Sequence, residues 1–493
     1  MKISLVQINT RAADFKGNLQ LIKNSAEKAA SAGSDFALFP LGAISGMPCE
    51  DNNFSAGREY SESLKEIAGM KLKTVLVFPR GGHDMDGAMV VRGGRLELVS
   101  GRLDEDIIYR KAPCCGKHNE NLVHDAAVAL TAYAVPYVCG SAEVTSSIAR
   151  EAAKRKQFIF ASNMLGANDS FLYEGRSCVF SPDGKMIAEA VSFREDLLTL
   201  DTESYEARKI ERPEYAADMT QALVMGIGDY FRKLGFKKAV IGLSGGIDSA
   251  VVSSLAVRAL GAENVTGVLM PSEYTSSQSN DDAHKLAGNL GIKTLTVEIK
   301  PLYDAFVKQL GLPAETDKVS VTRQNLQARA RACVLMALSN ENGWLVLNTG
   351  NKSEEAAGYC TLYGDSIGAL APISDVLKTE VYMVAKEINR AGDFIPESIL
   401  TRAPTAELRP GQKDQDELPP YDVLDRVVKH YTENSCRGVI YDIGEISGLT
   451  KKQTEDIIRK IKMNEYKRRQ VPMCFKVSPK AFFELDIPVM KKI

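Results

Sequence analysis

Ser244-Gly245-Gly246-Ile247-Asp248-Ser249 follows an apolar run at 239–243 (AVIGL) and leads into a helical pattern with apolar positions Ile247, Val251, Leu255 and Ala259. Strand, glycine turn and helix in that order form a unit of a doubly wound α/β sheet, and its first strand-to-helix turn is where phosphate groups bind. The helix N-terminus offers N–H groups and the positive end of the helix dipole. Two glycines let the backbone approach an anion, and Ser244 and Ser249 add hydroxyl donors. Asp248 is the odd member, because a carboxylate repels phosphate unless a cation bridges them, which implies Mg²⁺. The loop is not GxxxxGK[ST], and no Lys follows its glycines, which argues against a kinase or GTPase loop.

Around this loop, helix and strand patterns alternate. Helices are expected at 218–233, 247–260, 280–290 and 321–340, and strands at 239–243, 265–270, 294–299 and 344–348. That spacing predicts a parallel, doubly wound sheet. Upstream, strand-type runs at 3–8, 36–39, 74–78, 158–161 and 197–200 alternate with helical patterns at 18–32 and 146–156, which predicts a second α/β layered domain. The polar segment at 203–214 (ESYEARKIERPE) reads as the connection. The expected organisation is therefore a first domain at 1–204, a linker at 205–214 and a second domain at 215–493. The last hundred residues read as mostly helix and loop, with no repeat or low-complexity tract.

The 493 residues are 44% hydrophobic and 25% charged, which excludes a disordered chain, a collagen and a coiled-coil rod. With 61 basic and 63 acidic residues the net charge is −2, so nothing general points to nucleic acid. No apolar stretch is long enough for a bilayer, and MKISLVQINT turns polar too early for a signal peptide. A cytoplasmic, membrane-free setting is expected. The nine cysteines form no CxxC pair and His is scarce at five, so reduced thiols are expected and structural zinc is not.

Further motifs follow the loop in order: TRQNLQARAR (322–331), NTGNKSE (348–354), GYCTLYGD (358–365), PISDVLKTEVY (372–382), ILTRAPTAEL (399–408) with RPGQKDQDELPPY after it, and EYKRRQVP (465–472). SGGIDS is similar to the loop of N-type ATP pyrophosphatases. The full set, over about residues 214–480, resembles the NAD⁺ synthetase family, in particular the synthetase half of its glutamine-dependent type. The resemblance implies an adenine nucleotide α-hydrolase-like fold. It also implies ATP-dependent amidation of deamido-NAD⁺ through an adenylated carboxylate, with release of AMP and pyrophosphate. It assigns ATP to Gly242, Leu243, Ser244, Gly245, Gly246, Ile247, Asp248, Ser249, Thr349, Lys378 and Thr405, with Ser244, Asp248 and Lys378 as the catalytic set. It assigns Mg²⁺ to Asp248 and Glu354, and deamido-NAD⁺ to Asn325, Arg329, Glu354, Asp365 and Lys467. It further implies small-molecule substrates and a homo-oligomer. On a helix, Asn325, Arg329 and nearly Arg331 project together. The basic stretch 451–470 reads either as a solvated face or as a tail folding over an anionic dinucleotide. Asp414, Asp416 and Glu417 read as a solvated loop.

In the first domain, LFPLGAISGMPCED (38–51) and SNMLGANDSFLYEGRS (162–177) resemble a nitrilase-like glutaminase, an α/β sandwich with a Glu–Lys–Cys triad. The Glu position is Leu41. Pro113, Gly116 and Glu120 match the frame that puts the lysine at Tyr109, with Lys111 two residues off. The Cys-bearing segment expected before AVPYVCG (134–140) is missing, and Cys114, Cys115 and Cys139 are the nearby thiols. These departures imply a pseudo-glutaminase and free ammonia as nitrogen donor. Glutamine remains the alternative donor, through an unrecognised nucleophile or a separate glutaminase. A non-catalytic scaffold is a third reading, opposed by the intact synthetase motifs. Another ATP pyrophosphatase, such as GMP synthetase or a tRNA-thiolating enzyme, is a fourth.

Overall fold

Short strands that bury both faces need a layer on each side, and the first two hundred residues supply them. The computed structural model describes residues 1–47, 57–79, 87–109, 126–313, 319–436, 439–440, 448–485 and 487–490. The elements of the first part are β1 (Lys2–Gln7), α1 (Phe15–Ser31), β2 (Phe36–Leu38), α2 (Arg58–Ala68), β3 (Val75–Pro79), β4 (Gly87–Arg92), β5 (Arg95–Ser100), β6 (Arg102–Asp104), β7 (Ile107–Tyr109), β8 (Val128–Tyr133), α3 (Glu143–Arg155), β9 (Phe158–Asn163), β10 (Leu165–Asn168), β11 (Phe171–Glu174), β12 (Cys178–Phe180), β13 (Met186–Glu189) and β14 (Asp196–Asp201). They build two six-stranded sheets, in the orders β14-β1-β2-β3-β4-β5 and β13-β12-β9-β8-β7-β6.

One core lies between the sheets, where Ile3, Leu5, Val77 and Val90 meet Leu130, Phe160 and Val179. On the outer face of the first sheet, Val6, Phe39 and Phe78 pack on Ile22 and Ala26 of α1 and Ile67 of α2. On that of the second, Ala129, Ile159 and Phe180 pack on Ile148 and Ala152 of α3. The layers run α–β–β–α, the nitrilase-like sandwich expected from the sequence. In the second sheet β7 pairs directly with β8 in parallel, with Ile107 opposite Val128 and Tyr109 opposite Leu130.

The chain divides into two compact units, Met1–Pro213 and Glu214–Ile493. The second contains α4 (Tyr215–Leu234), β15 (Ala239–Gly242), α5 (Ile247–Leu260), β16 (Val265–Leu269), α6 (Ser277–Leu290), β17 (Lys293–Thr296), α7 (Lys300–Gln309), α8 (Val321–Asn342), β18 (Leu345–Val346), α9 (Lys352–Ala357), α10 (Lys378–Asn389), α11 (Glu397–Thr401), α12 (Tyr421–Asn434), α13 (Lys451–Met463) and α14 (Glu465–Arg468). The strands β17-β16-β15-β18 form an all-parallel sheet. Val240, Val268 and Val346 pack against Ala330, Val334 and Leu335 of α8. α5 packs on β15 and β16, and α4 and α10 pack on α5.

Two expectations shift. The strand expected at 294–299 ends at Thr296, because Ile299 caps α7, whose Pro301 sits in its first turn. The strand expected at 344–348 shortens to Leu345–Val346, and Leu347 then bridges to Leu370. Among the described residues no helix is long and apolar enough to cross a membrane.

Leu130 has no solvent exposure and faces the inter-sheet core. Leu130→Ala is expected to cost about 2–5 kcal/mol of stability by loss of buried surface plus a cavity. Urea unfolding followed by circular dichroism measures it, and an unchanged midpoint would contradict this packing.

Candidate active site

In the second unit β15, β16 and β17 step to one side and β18 returns to the other side of β15. The order therefore reverses between β15 and β18, and ligands of doubly wound sheets bind outside the strand ends at such a point. SGGIDS follows β15 and NTGNKSE follows β18, so the two motifs flank one crevice. A cavity of about 480 Å³ opens there, within the size range of cofactor sites.

Gly245 shapes the loop in two ways. Its φ is +73°, and a Cβ there would lie 2.2 Å from the Ser279 carbonyl oxygen. Ser244 Oγ accepts from Gly246 N–H at 3.2 Å and lies 3.1 Å from Ser249 Oγ, which donates to Gly246 O at 3.0 Å. Gly246 is the N-cap of α5 and brings no side-chain acceptor to its first turn. Arg402 braces the loop from outside, donating to Gly245 O at 2.5 Å and to Ser279 Oγ at 2.9 Å. Ser279 Oγ in turn donates to Glu407 at 2.8 Å.

At the floor, the Lys378 ammonium lies 2.5 Å from Asp248 Oδ2 and 3.0 Å from Glu354 Oε1. Its side chain is 2% exposed. Burial works against its charge, but Asp248 and Glu354 outweigh that and hold its pKa above the lysine value. Burial pushes the Glu354 carboxyl up to about 8, with Lys378 opposing the rise and Asp248 adding to it. Asn351 does two jobs. Its Oδ1 caps α9 by accepting from Ser353 and Glu354 N–H, both at 3.1 Å, and its Nδ2 donates to Asp248 Oδ1 at 2.9 Å. Asp248 and Glu354 thus offer only hard carboxylate oxygens, converging where a cation, the lysine ammonium, already fits. Such a pair suits Mg²⁺ when substrate phosphates complete the shell. Among the described residues no three His, Cys, Asp or Glu side chains gather around a metal position.

Most residues assigned from the sequence line this cavity: Gly242, Leu243, Ser244, Gly246, Ile247, Asp248, Ser249, Thr349, Lys378, Thr405, Asn325, Glu354, Asp365 and Lys467. Gly245 turns its carbonyl to Arg402 instead. Arg329 is the misfit: it is absent from the lining, and its Nε donates to Leu362 O at 3.2 Å. Two residues further along α8, Arg331 lines the cavity and donates to Met270 O at 3.0 Å. Burial pulls its pKa down to about 10. Lys467 donates to Gly358 O and Cys360 O, at 2.7 and 2.8 Å. Its neighbour Arg468 is buried against Glu465 and the carbonyls of Glu355 and Ala356. The end of the basic stretch therefore binds protein carbonyls rather than forming a solvated face.

The solvated-loop expectation holds for Asp416 and Glu417, which are exposed, and is corrected for Asp414. Asp414 is 3% exposed, lines the cavity with Glu417 and accepts from Tyr421 Oη at 2.8 Å. Its charged, proline-flanked sequence gave no sign of burial. Asn351 was also missed, although Asn351-x-x-Glu354 is a capping-box spacing that carries the signal. In the first unit, Leu41 and Tyr109 are both buried, at 7% and 3% exposure. Lys111, Pro113, Cys114, Cys115, Gly116 and Glu120 lie outside the described residues.

A glycine loop at a switch point, two part-buried carboxylates on a buried lysine ammonium and a cavity of nucleotide size define a nucleotide-dependent α/β enzyme. Residues 219–471 match the family described as NAD synthase. A glutamine-dependent NAD(+) synthetase of Thermotoga maritima is 34% identical over 565 aligned residues, covering 98% of this chain and 97% of that protein. One from Synechocystis is also 34% identical, covering 97% and 96%. Among solved structures, the glutamine-dependent NAD+ synthetase of Acinetobacter baumannii, in complex with ADP, has a TM-score of 0.75 at 29% identity, covering 99% of this chain and 98% of that one. The chain belongs to the NAD synthase family of carbon–nitrogen ligases.

Glu354 makes the substrate-free protein sensitive to pH. Its pKa lies at about 8 in the folded state against an ordinary 4.5. Between those values the folded state binds more protons than the unfolded one, so stability falls as pH rises. The urea midpoint of the substrate-free wild type is expected to fall across that window more steeply than that of Glu354→Gln. Parallel profiles would contradict the burial of this acid.

Proposed function

We propose that this chain forms NAD⁺ by ATP-dependent amidation of deamido-NAD⁺, with free ammonia as nitrogen donor. The observation that carries the first half is the Asp248–Lys378–Glu354 cluster beside the glycine loop at the switch point, in a chain one-third identical to named synthetases over nearly its whole length. In the proposed reaction an oxygen of the nicotinate carboxylate attacks the α-phosphorus of ATP. The bond from that phosphorus to the β-bridging oxygen breaks, and pyrophosphate leaves. Ammonia then adds to the acyl carbon, loses a proton and displaces AMP.

The first-turn N–H groups of α5 and the hydroxyls of Ser244 and Ser249 receive the departing pyrophosphate. Lys378 supplies a buried positive charge beside it. Asp248 and Glu354 would hold Mg²⁺, which when bound would supply charge neutralisation for the phosphates. Asp365 and Lys467 line the part of the cavity taken by deamido-NAD⁺. Assembly as a homo-oligomer belongs to the same proposal and rests on family resemblance; analytical ultracentrifugation tests it.

Support for ammonia comes from the first unit. Leu41 cannot accept a proton, and Tyr109 is buried where the family has its lysine. Among the described residues β7 and β8 are hydrogen-bonded neighbours, with no strand between them. The 565-residue alignment exceeds the 493 residues of this chain, so the Thermotoga relative carries residues that this chain lacks. The opposing reading keeps glutamine as donor. It is favoured by the names of the Thermotoga and Synechocystis relatives, both glutamine-dependent.

Purified protein with ATP, Mg²⁺ and deamido-NAD⁺ is expected to form NAD⁺ with ammonium and none with glutamine. Product from glutamine would overturn the ammonia reading, and no product from either donor would overturn the synthetase reading. Asp248→Asn is expected to lower pyrophosphate release about 100-fold or more, because a charge on the transferring phosphoryl group loses its counterion. Circular dichroism should show the fold retained, and near wild-type release would refute the metal role of Asp248.

A further inference from the structure

Lys378 opens α10, and this helix begins without a cap of its own. Its N-cap is Leu377, which has no polar side chain, whereas Asn351 caps α9 and Thr450 caps α13. The first N–H groups of a helix need acceptors. Here two other helices supply them. Lys378 N–H donates to Ser353 Oγ of α9 at 2.8 Å, and Thr379 N–H donates to Asp425 Oδ2 of α12 at 2.8 Å. Ser353 Oγ passes its own hydrogen to Asp425 Oδ1. One carboxylate, 4% exposed, therefore receives hydrogen bonds from the residue before Glu354 and from the residue after Lys378. One turn earlier on the same face of α12, the Tyr421 ring lies 5.2 Å from the Lys378 ammonium.

We propose that Asp425 is a positioning residue that sets the distance between the Lys378 ammonium and the Glu354 carboxylate by capping α10 from α12 and tying α9 to it. This rests on the reading above, in which Asp248 and Glu354 hold the divalent cation. A carboxylate suits the task. It accepts from two donors at once, and its charge lies at the positive end of the α10 dipole. Without it, α9 and the start of α10 keep the Lys378 N–H to Ser353 Oγ bond, the Lys352 N–H to Val376 O bond and the Lys378–Glu354 and Lys352–Asp375 ion pairs, none of which fixes the Thr379 N–H. A shift there moves Glu354 relative to Asp248, the two carboxylates that converge on the Lys378 ammonium. Loss of a direct partner of a metal ligand weakens metal binding about 10–100-fold; Asp425 acts one residue further out, through Ser353 and Thr379, so the lower end of that range is expected.

The test measures Mn²⁺ binding to the full chain with a non-hydrolysable ATP analogue, read from the electron paramagnetic resonance signal of free Mn²⁺, beside urea unfolding. Asp425→Asn keeps one acceptor oxygen for Thr379 and is expected to fold as wild type with Mn²⁺ affinity reduced about tenfold. Asp425→Ala should lose more. Leu424→Ala, in the core side of the same helix, is expected to lower stability and leave Mn²⁺ affinity at the wild-type value. Asp425→Asn with wild-type affinity overturns the inference. So does Leu424→Ala with the same loss of affinity, because general loosening of α12 would then suffice. A wild-type protein that takes up no Mn²⁺ in this complex overturns the metal reading itself, and this inference with it.

Discussion

A lysine ammonium with 2% of its side chain exposed has to be surrounded by compensating charge, and the second unit is built around that requirement at Lys378. Removing one partner of a buried ion pair costs about 3–5 kcal/mol, because the remaining charge stays desolvated. Asp248 comes from the first turn of α5, after β15; Glu354 from the first turn of α9, after β18; and Lys378 from the start of α10. The parallel ladder from β15 to β18 therefore has to be in register before the cluster can close. Asn351 adds a second tie, since the side chain that caps α9 also fixes Asp248. The same charges that a triphosphate and its cation would rearrange are those that hold the substrate-free crevice in shape.

Behind this cluster lies a layer of buried polar contacts that touches the cavity at Glu355. Lys352 pairs with Asp375 at 2.8 Å, and Asp375 also accepts from Val477 and Ser478 N–H, at 2.9 Å each. Glu355 accepts from Ser374, and burial raises its pKa to about 7. α9 is six residues long, yet Glu354 reaches the Lys378 cluster, Ser353 reaches Asp425, and Lys352 and Glu355 join this layer. Such a short helix is marginal by itself, so its position is set by these partners rather than by its own propensity.

The doubly wound sheet was legible because its strands are continuous apolar runs punctuated by glycine turns. The helix Ile247–Leu260 and the glycine turn that opens it were legible with their bounds. Asp414 was not legible: a charged, proline-flanked stretch has the composition of a solvated loop, and only tertiary packing with Tyr421 buries it. Arg329 and Arg331 show a different limit. Helical spacing puts both near Asn325, but two residues turn a helix by more than half a circle, and the orientation of α8 on the sheet decides that Arg331 faces the cavity. α7 escaped because its pattern is weak and Tyr303 is its one buried residue.

The direct β7–β8 ladder has a consequence for how the first unit could change. A buried parallel strand cannot be added by exchanging side chains. Giving Leu41 a carboxylate and Tyr109 an amine would still leave the backbone hydrogen bonds between Ile107–Tyr109 and Val128–Tyr133 closed. A new strand would have to break that ladder, pair on both its edges and re-pack Leu130 and Phe160 between the sheets. Side-chain changes at Leu41 and Tyr109 therefore leave the described β7–β8 pairing as it stands.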